Sequence, residues 1–263
     1  MLKVKPVLTG VSAVLAVLAI APSAGAANYT VGLGAGWAPD YQGSDDYHGV
    51  PTWLFDVHDL YHPDTYVTLA GPTLRSNFVA DPHLRAGVSG SFVGKRDDVD
   101  DKVVDRMKST DSALLLGGIF GWDFVAQSTT ELSVLLDMRY DVANGNGYLI
   151  TPRLIYFNKI PNSRFSVGAG LFSDWASDDY MSEYFGVDAG DAARSGLSQF
   201  NAGSGFMDVG LTANINYRFA DHWSTTLLGA YTRLLGDAAD SPIVDNRGDE
   251  NQLFLGVTIN YRL

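Results

Sequence analysis

Six charged residues fall on the polar side of alternating segments. Glu131, Asp137, Arg139 and Asp141 share one parity, while Leu132, Val134, Leu136, Met138, Tyr140 and Val142 take the other. Arg218 and Arg262 occupy the polar parity of two further segments. Carboxylates and guanidinium groups gathered away from bulk water either satisfy one another or stand as a ring of charge that selects among small ions. The first arrangement closes a lumen; the second filters solutes through it.

Other candidates for chemistry are weaker. His58 and His62 stand four apart beside Asp59 and Asp64, a spacing that presents two metal ligands on one helix face. Pro63 and the strand-rich surroundings make this a connecting segment, so no metal site and no cofactor is assigned. A hydrolase carried on strands needs a His beside its Ser or Asp partner at a rim. His83 and His222 open strands at the end with short turns, which leaves a barrel enzyme as a third reading. The run Asp97-Asp98-Val99-Asp100-Asp101 lacks the Gly and closing Glu of a calcium loop and reads as solvated charge. Its sharper alternative is to bridge divalent ions to lipopolysaccharide phosphates. Between 177 and 204, Ser177 opens a short helix that carries Tyr180, Tyr184 and Phe185 on one side, with Gly186 as its stop. Those three aromatics either plug a mouth or form a docking surface.

The elements that position these groups are strands. From Asn251 to the end, Leu253, Leu255, Val257, Ile259, Tyr261 and Leu263 alternate with Phe254, Gly256, Thr258, Asn260 and Arg262. Residues 207 to 219 repeat the pattern, with Asp208, Asn214, Asn216 and Arg218 on the polar face. A face carrying Asp, Asn and Arg does not pack against a dry core. Together with a secretion signal, this points the apolar faces into lipid and the polar faces into a lumen. That signal is Met1 to Ala26: Lys3 and Lys5, an apolar run from Val7 to Ile20, and Ala24-Gly25-Ala26 before a cut near Ala26.

Composition agrees. The chain has 263 residues, no Cys, 28 Gly and 12% aromatic residues. Without Lys3 and Lys5, the 18 basic residues fall to 16 against 30 acidic, a net charge of −14, which excludes nucleic acid as a partner sought by charge. No later stretch is long and apolar enough for a helical membrane span.

Eleven segments have strand character: Tyr29–Trp37, then about 50–57, 65–79, 84–92, 114–124, 131–142, 147–160, 164–175, 205–219, 222–235 and 251–263. Trp37, Trp53, Trp122, Trp175 and Trp223 lie at or near strand ends, as interfacial anchors do. Short turns at 80–82, 126–129, 161–163 and 220–221 read as periplasmic, and the acidic links 95–111, 177–204 and 236–250 as extracellular. Counted back from a periplasmic C-terminus, an odd number leaves the first strand reversed. Either 58–79, with its Gly71-Pro72, or 177–204 hides another strand, or two segments merge. The expectation is an all-β chain: one antiparallel transmembrane barrel of about 12 strands, with 10 as the alternative, over residues 27–263.

Several motifs fix a resemblance. Pro39-Asp40-Tyr41-Gln42-Gly43-Ser44 with Val50-Pro51, Asp174-Trp175-Ala176 with Tyr180-Met181 and Tyr184-Phe185-Gly186-Val187, Ser195-Gly196-Leu197, and Ser241-Pro242-Ile243-Val244 resemble the MipA/OmpV family of outer-membrane proteins. The likeness spans nearly all of 27–263 and is densest from 174 onward. It implies a scaffold between a lytic transglycosylase and a peptidoglycan synthase, set in outer-membrane lipid and lipopolysaccharide; other members are regarded as antigens or adhesins. It brings no catalytic residues. One departure is the terminal Leu263, where outer-membrane barrels usually end in Phe. The leading expectation is a non-enzymatic outer-membrane scaffold, followed by a narrow channel for small solutes.

Overall fold

The protein is described by a computed structural model over residues 27–127 and 129–263; the expected signal peptide, 1–26, lies outside the described residues. Its strands are β1 Asn28–Pro39, β2 Tyr47–His58, β3 Tyr66–Ala70, β4 Thr73–Asn77, β5 Leu84–Val93, β6 Ala113–Ala126 and β7 Thr130–Asp141. They continue as β8 Tyr148–Lys159, β9 Phe165–Phe172, β10 Trp175–Ala176, β11 Gly205–Phe206, β12 Asp208–Arg218, β13 Trp223–Leu234 and β14 Asn251–Arg262. Among the described residues, four short α-helices lie in the links, α1 Asp178–Phe185, α2 Ala189–Ser195, α3 Gly236–Asp240 and α4 Pro242–Asp245, with one 3-10 turn at Val104–Arg106.

Neighbouring strands pair antiparallel in chain order except that β9 pairs with β12, and the sheet closes where β1 meets β14, from Thr30↔Arg262 to Trp37↔Leu255. The two-residue β10 and β11 pair with each other and prolong β9 and β12 beyond a break at Ser173, Asp174 and Met207. Twelve staves therefore form the wall. The alternation has an inverted burial pattern. On β14, Leu253, Leu255, Val257 and Ile259 are 46–58% exposed, whereas Gln252, Thr258 and Asn260 are 1–8% exposed. Apolar outside and polar inside is the arrangement that a bilayer imposes on a closed barrel.

The odd strand count resolves in the segment 65–79. It is not one strand but the hairpin β3–β4, turning at Gly71 (φ +51°) and Pro72. A left-handed residue at the turn needs Gly, and Pro72 supplies no ladder donor. This corrects the single strand expected there, and the link 177–204 contributes no further stave. Both described ends of the barrel then lie on the side with the short turns, which is the periplasmic side.

The hairpin is low. β3 pairs with β2 only from Leu54↔Ala70 to His58↔Tyr66, and β4 with β5 only from Thr73↔Ser91 to Arg75↔Ser89. Gly71 N–H closes the top by donating to Trp53 O at 2.8 Å. Above it, residues 47–52 of β2 have no strand partner on that side among the described residues. Backbone polar groups alternate between the two edges of a strand, so Pro51 presents its donorless nitrogen to the free edge. At the β4–β5 joint the Ser76 hydroxyl replaces a ladder bond, accepting from Val88 N–H at 2.8 Å and donating to Val88 O at 2.9 Å.

Candidate functional site

The extracellular half of the lumen is filled by the chain itself. In α1, Tyr180, Met181 and Phe185 are at most 1% exposed, and Tyr184 is buried with them. They pack with Ala113 and Leu115 of β6, Leu149 of β8, Met207, Leu234 of β13 and Val244. The Tyr180 and Tyr184 ring centroids are 4.6 Å apart. Gln42 donates to the Tyr180 hydroxyl at 3.3 Å, Arg96 donates to Tyr184 O at 2.9 Å, and Ser241 donates to Phe185 O at 2.6 Å. The insert is thus tied to three other links, and burial pushes the phenols of Tyr180 and Tyr184 well above their ordinary range.

The helix begins and ends by means other than those expected. Ser177 stands at the cap position, but its hydroxyl accepts from Tyr148 N–H at 3.0 Å instead of capping α1. Asp178 and Asp179 in the first turn supply the favourable charge there. Gly186 is extended, not left-handed. It is needed because a Cβ there would sit 2.4 Å from Ser182 O.

Beneath the insert lies a buried ion cluster. Arg139 Nε is 3.3 Å from Asp137 Oδ1, and its Nη2 is 3.7 Å from Asp174 Oδ1. Arg139 also donates to the Ser91 hydroxyl at 2.7 Å and the Thr151 hydroxyl at 3.0 Å. Ser89 donates to Asp137 at 2.6 Å, and Asp174 N–H donates to Asp208 Oδ1 at 3.1 Å. Two more lumenal arginines stand nearby. Arg153 lies 5.2 Å over the Phe172 ring, and the Nε atoms of Arg75 and Arg153 are buried without a hydrogen-bond partner.

The six charges singled out in the sequence occupy four places. Asp137 and Arg139 meet in the outer half. Asp141 caps the 142–147 turn, accepting from Ala143 N–H at 3.1 Å and Asn146 N–H at 3.3 Å. Glu131, near the periplasmic end, is 3.4 Å from Arg85, whose Nε donates to Asp123 at 2.7 Å. Arg218 and Arg262 end β12 and β14 at the periplasmic mouth, far down the wall from Arg139. Asp174, Asp208, Arg75, Arg153 and Arg85 were not among the charges singled out in the sequence, although Asp208 lies on the polar face of the 207–219 alternation. Arg85 and Asp208 were detectable, being on the inward parity of β5 and β12, whereas Asp174 sits at a strand break that no periodicity marks.

The periplasmic half is open. A cavity of about 500 Å³ is lined there by Phe157 and Lys159 of β8, Arg164, Arg218, Trp223 and Arg262. Its floor is polar, with Asn216 donating to Thr226 at 2.8 Å and Asn260 donating to Thr226 at 2.9 Å. His58 pairs with Asp56 at 3.2 Å and His62 with Asp64 at 3.3 Å, each with its own carboxylate. A second cavity of about 470 Å³ lies among the extracellular links, where Arg96 and Lys108 face Glu183, Asp188 and Asp191.

A closed antiparallel barrel with an apolar outside, a polar interior and long links at one end defines an outer-membrane β-barrel protein. A sequence profile of the family described as MltA-interacting protein MipA matches residues 31–263, and the chain belongs to that family. The MltA-interacting protein of Escherichia coli (strain K12) is 31% identical over 102 residues, which is 39% of this chain and 40% of that protein. Outer membrane protein OmpV of Vibrio cholerae serotype O1 is 38% identical over 124 residues, 47% of this chain and 46% of that protein. The matched stretch thus spans less than half the length of these curated relatives. Among solved structures, an outer membrane channel from Pseudomonas putida F1 aligns over 90% of this chain and 95% of its own, with TM-score 0.47 and 11% identity. The translocator domain of autotransporter NalP from Neisseria meningitidis aligns over 96% and 93%, with TM-score 0.46 and 12% identity. The protein is a barrel of the bacterial outer membrane.

Proposed function

We propose that this barrel is a non-enzymatic scaffold that holds cell-wall remodelling enzymes at the inner face of the outer membrane. The observation that carries the reading is the division of the lumen. Its outer half is filled by Tyr180, Tyr184 and Phe185 and by the Arg139 cluster, which leaves the periplasmic mouth as the accessible end. A barrel blocked by its own side chains is a poor conduit, whereas its periplasmic rim is where wall enzymes work. The name of the relative from Escherichia coli supports a lytic transglycosylase as one partner, and the family resemblance adds a peptidoglycan synthase. In this reading the aromatic segment of α1 is a plug and not a docking surface.

The second reading is a narrow channel for small solutes, favoured by the periplasmic cavity that leads into the wall. Affinity capture from detergent-solubilised envelopes, run beside planar-bilayer conductance, separates the two. Recovery of a wall enzyme with no single-channel steps supports the scaffold. Stable charge-selective steps that change on Arg139→Ala support the channel.

A further inference from the structure

The chain is strongly acidic, yet four cations converge on one cavity. Lys159 ends β8, Arg164 follows the next turn, and Arg218 and Arg262 end β12 and β14, all lining the periplasmic vestibule. None of the four lies within ion-pair distance of a carboxylate among the described residues, whereas Arg85, Arg139, Arg233 and Arg247 each do. What polar contacts they make are to carbonyl oxygens: Arg164 donates to Phe219 O at 3.2 Å and Arg262 to Asp221 O at 3.2 Å. Those bonds orient the guanidinium groups without neutralising them. The carboxylates that share the cavity are Asp56, already engaged by His58 and Thr68, and Asp221.

We propose that this vestibule is a binding site for a small ligand carrying two or more oxyanion groups, which enters from the periplasm. Guanidinium forks match carboxylate and phosphate oxygens in pairs, so carboxylate and phosphate ligands share the chemistry that the site offers. A cavity of about 500 Å³ suits a small molecule and not a folded domain. Its apolar part is also in place. Phe157 lies on the inward parity of β8 and remains 38% exposed, an unusual position for an aromatic ring on the polar side of a barrel wall. The ring gives the carbon skeleton of a ligand a surface while the four cations hold its charged ends.

The test uses the full barrel in detergent micelles, with citrate as the tricarboxylate probe and pyrophosphate as the phosphate probe. Calorimetry gives the affinity, and the fluorescence of Trp223, which lines the cavity, gives an independent signal. We expect saturable binding of at least one probe, weakening as salt is raised. The double change Arg218→Gln with Arg262→Gln should lower affinity at least about tenfold, as expected on losing two charge-assisted contacts. Arg233→Gln, which alters a cation at the opposite mouth, should leave affinity as it is. Binding of citrate alone assigns carboxylate ligands, and binding of pyrophosphate alone assigns phosphates. No saturable binding of either probe, or equal loss in the Arg233→Gln barrel, overturns the proposal. If the double variant does not assemble, Lys159→Gln serves in its place, with gel mobility before and after boiling as the check on folding.

Discussion

The two halves of the lumen are built from the same staves yet differ in every respect that bears on access. At the outer mouth, aromatic side chains and paired ions pack to nearly zero exposure. At the inner mouth, Lys159, Arg164, Arg218 and Arg262 stand around an open cavity with no carboxylate within ion-pair distance among the described residues. The cause is link length. The extracellular links 177–204 and 235–250 are long enough to form helices and fold back, bringing Phe185, Ala238 and Val244 into a common apolar cluster. The periplasmic turns have only a few residues each, which leaves nothing to cover the mouth. Side-chain parity on the wall sets polarity; the links decide which polar end is sealed.

The largest test of this contrast is to empty the sealed half. Phe185→Ala should cost about 3–5 kcal/mol of local stability, since a fully buried ring is removed from a tethered insert. Denaturant titration of the link helices by circular dichroism measures it. Replacing Tyr180, Tyr184 and Phe185 together by Ala should leave the barrel heat-modifiable while conductance rises, and unchanged conductance would remove the plug role. In the ion cluster, Arg139→Ala should destabilise the barrel by about 3–5 kcal/mol, because Asp137 is left buried without its counter-charge. The same change at Arg218, half-buried in the open half with no carboxylate within ion-pair distance among the described residues, should cost far less, about 0.5 kcal/mol. Equal costs at Arg139 and Arg218 by guanidinium unfolding in micelles would erase the distinction between the halves.

A lipid-face control comes next in size. Ala213→Arg, near the middle of β12, should cost about 2–4 kcal/mol and impair assembly, whereas Asn214→Arg should be mild because it enters the polar lumen. Similar assembly yields for both would mean that the two faces of β12 are not lipid and lumen.

The smallest effect concerns pH and the sealing links. Burial opposes charge on Asp101, but Arg247, whose Nε donates to it at 3.0 Å, and the N–H groups of Val104 and Val103 outweigh burial and hold its carboxyl below the ordinary value. A depressed folded pKa stabilises the link fully above the ordinary carboxylate range and loses that contribution as pH falls through the depressed value. Proteolysis of the 94–112 link should therefore accelerate on acidification, and Asp101→Asn should flatten that dependence.

Much of the wall was legible because lipid makes alternation nearly obligatory. β7, β12 and β14 each carry an unbroken period of two, and all three occur where the sequence places them. The β3–β4 hairpin was not separated because five-residue strands give alternation too little length to register, and the turn at Gly71-Pro72 sits inside what reads as one extended run. In the site, parity groups charges by face but carries no height. Arg218 and Arg262 are the last residues of their strands, while Arg139 is two residues from the opposite end of its own. Counting from the turns would have parted them. The meeting of Asp174 with Asp208 was beyond reach, since it forms only when β9 and β12 break together and the link between them folds over the lumen.

The low hairpin fixes where the wall should breathe. The two ends of the sheet are fastened by eight register pairs between β1 and β14, but β4 and β5, in mid-chain, share only three, with the Ser76 hydroxyl standing in for a backbone bond. Closure of the chain on itself is therefore not its weakest joint. Amide protons around Ser76 and Val88 should exchange with deuterium well before those of Leu33 or Ile259, because opening at a three-pair joint breaks fewer bonds than opening at an eight-pair one. The barrel's own seam is held like a wall, whereas above the turn at Gly71-Pro72 the edge of β2 has no strand partner among the described residues.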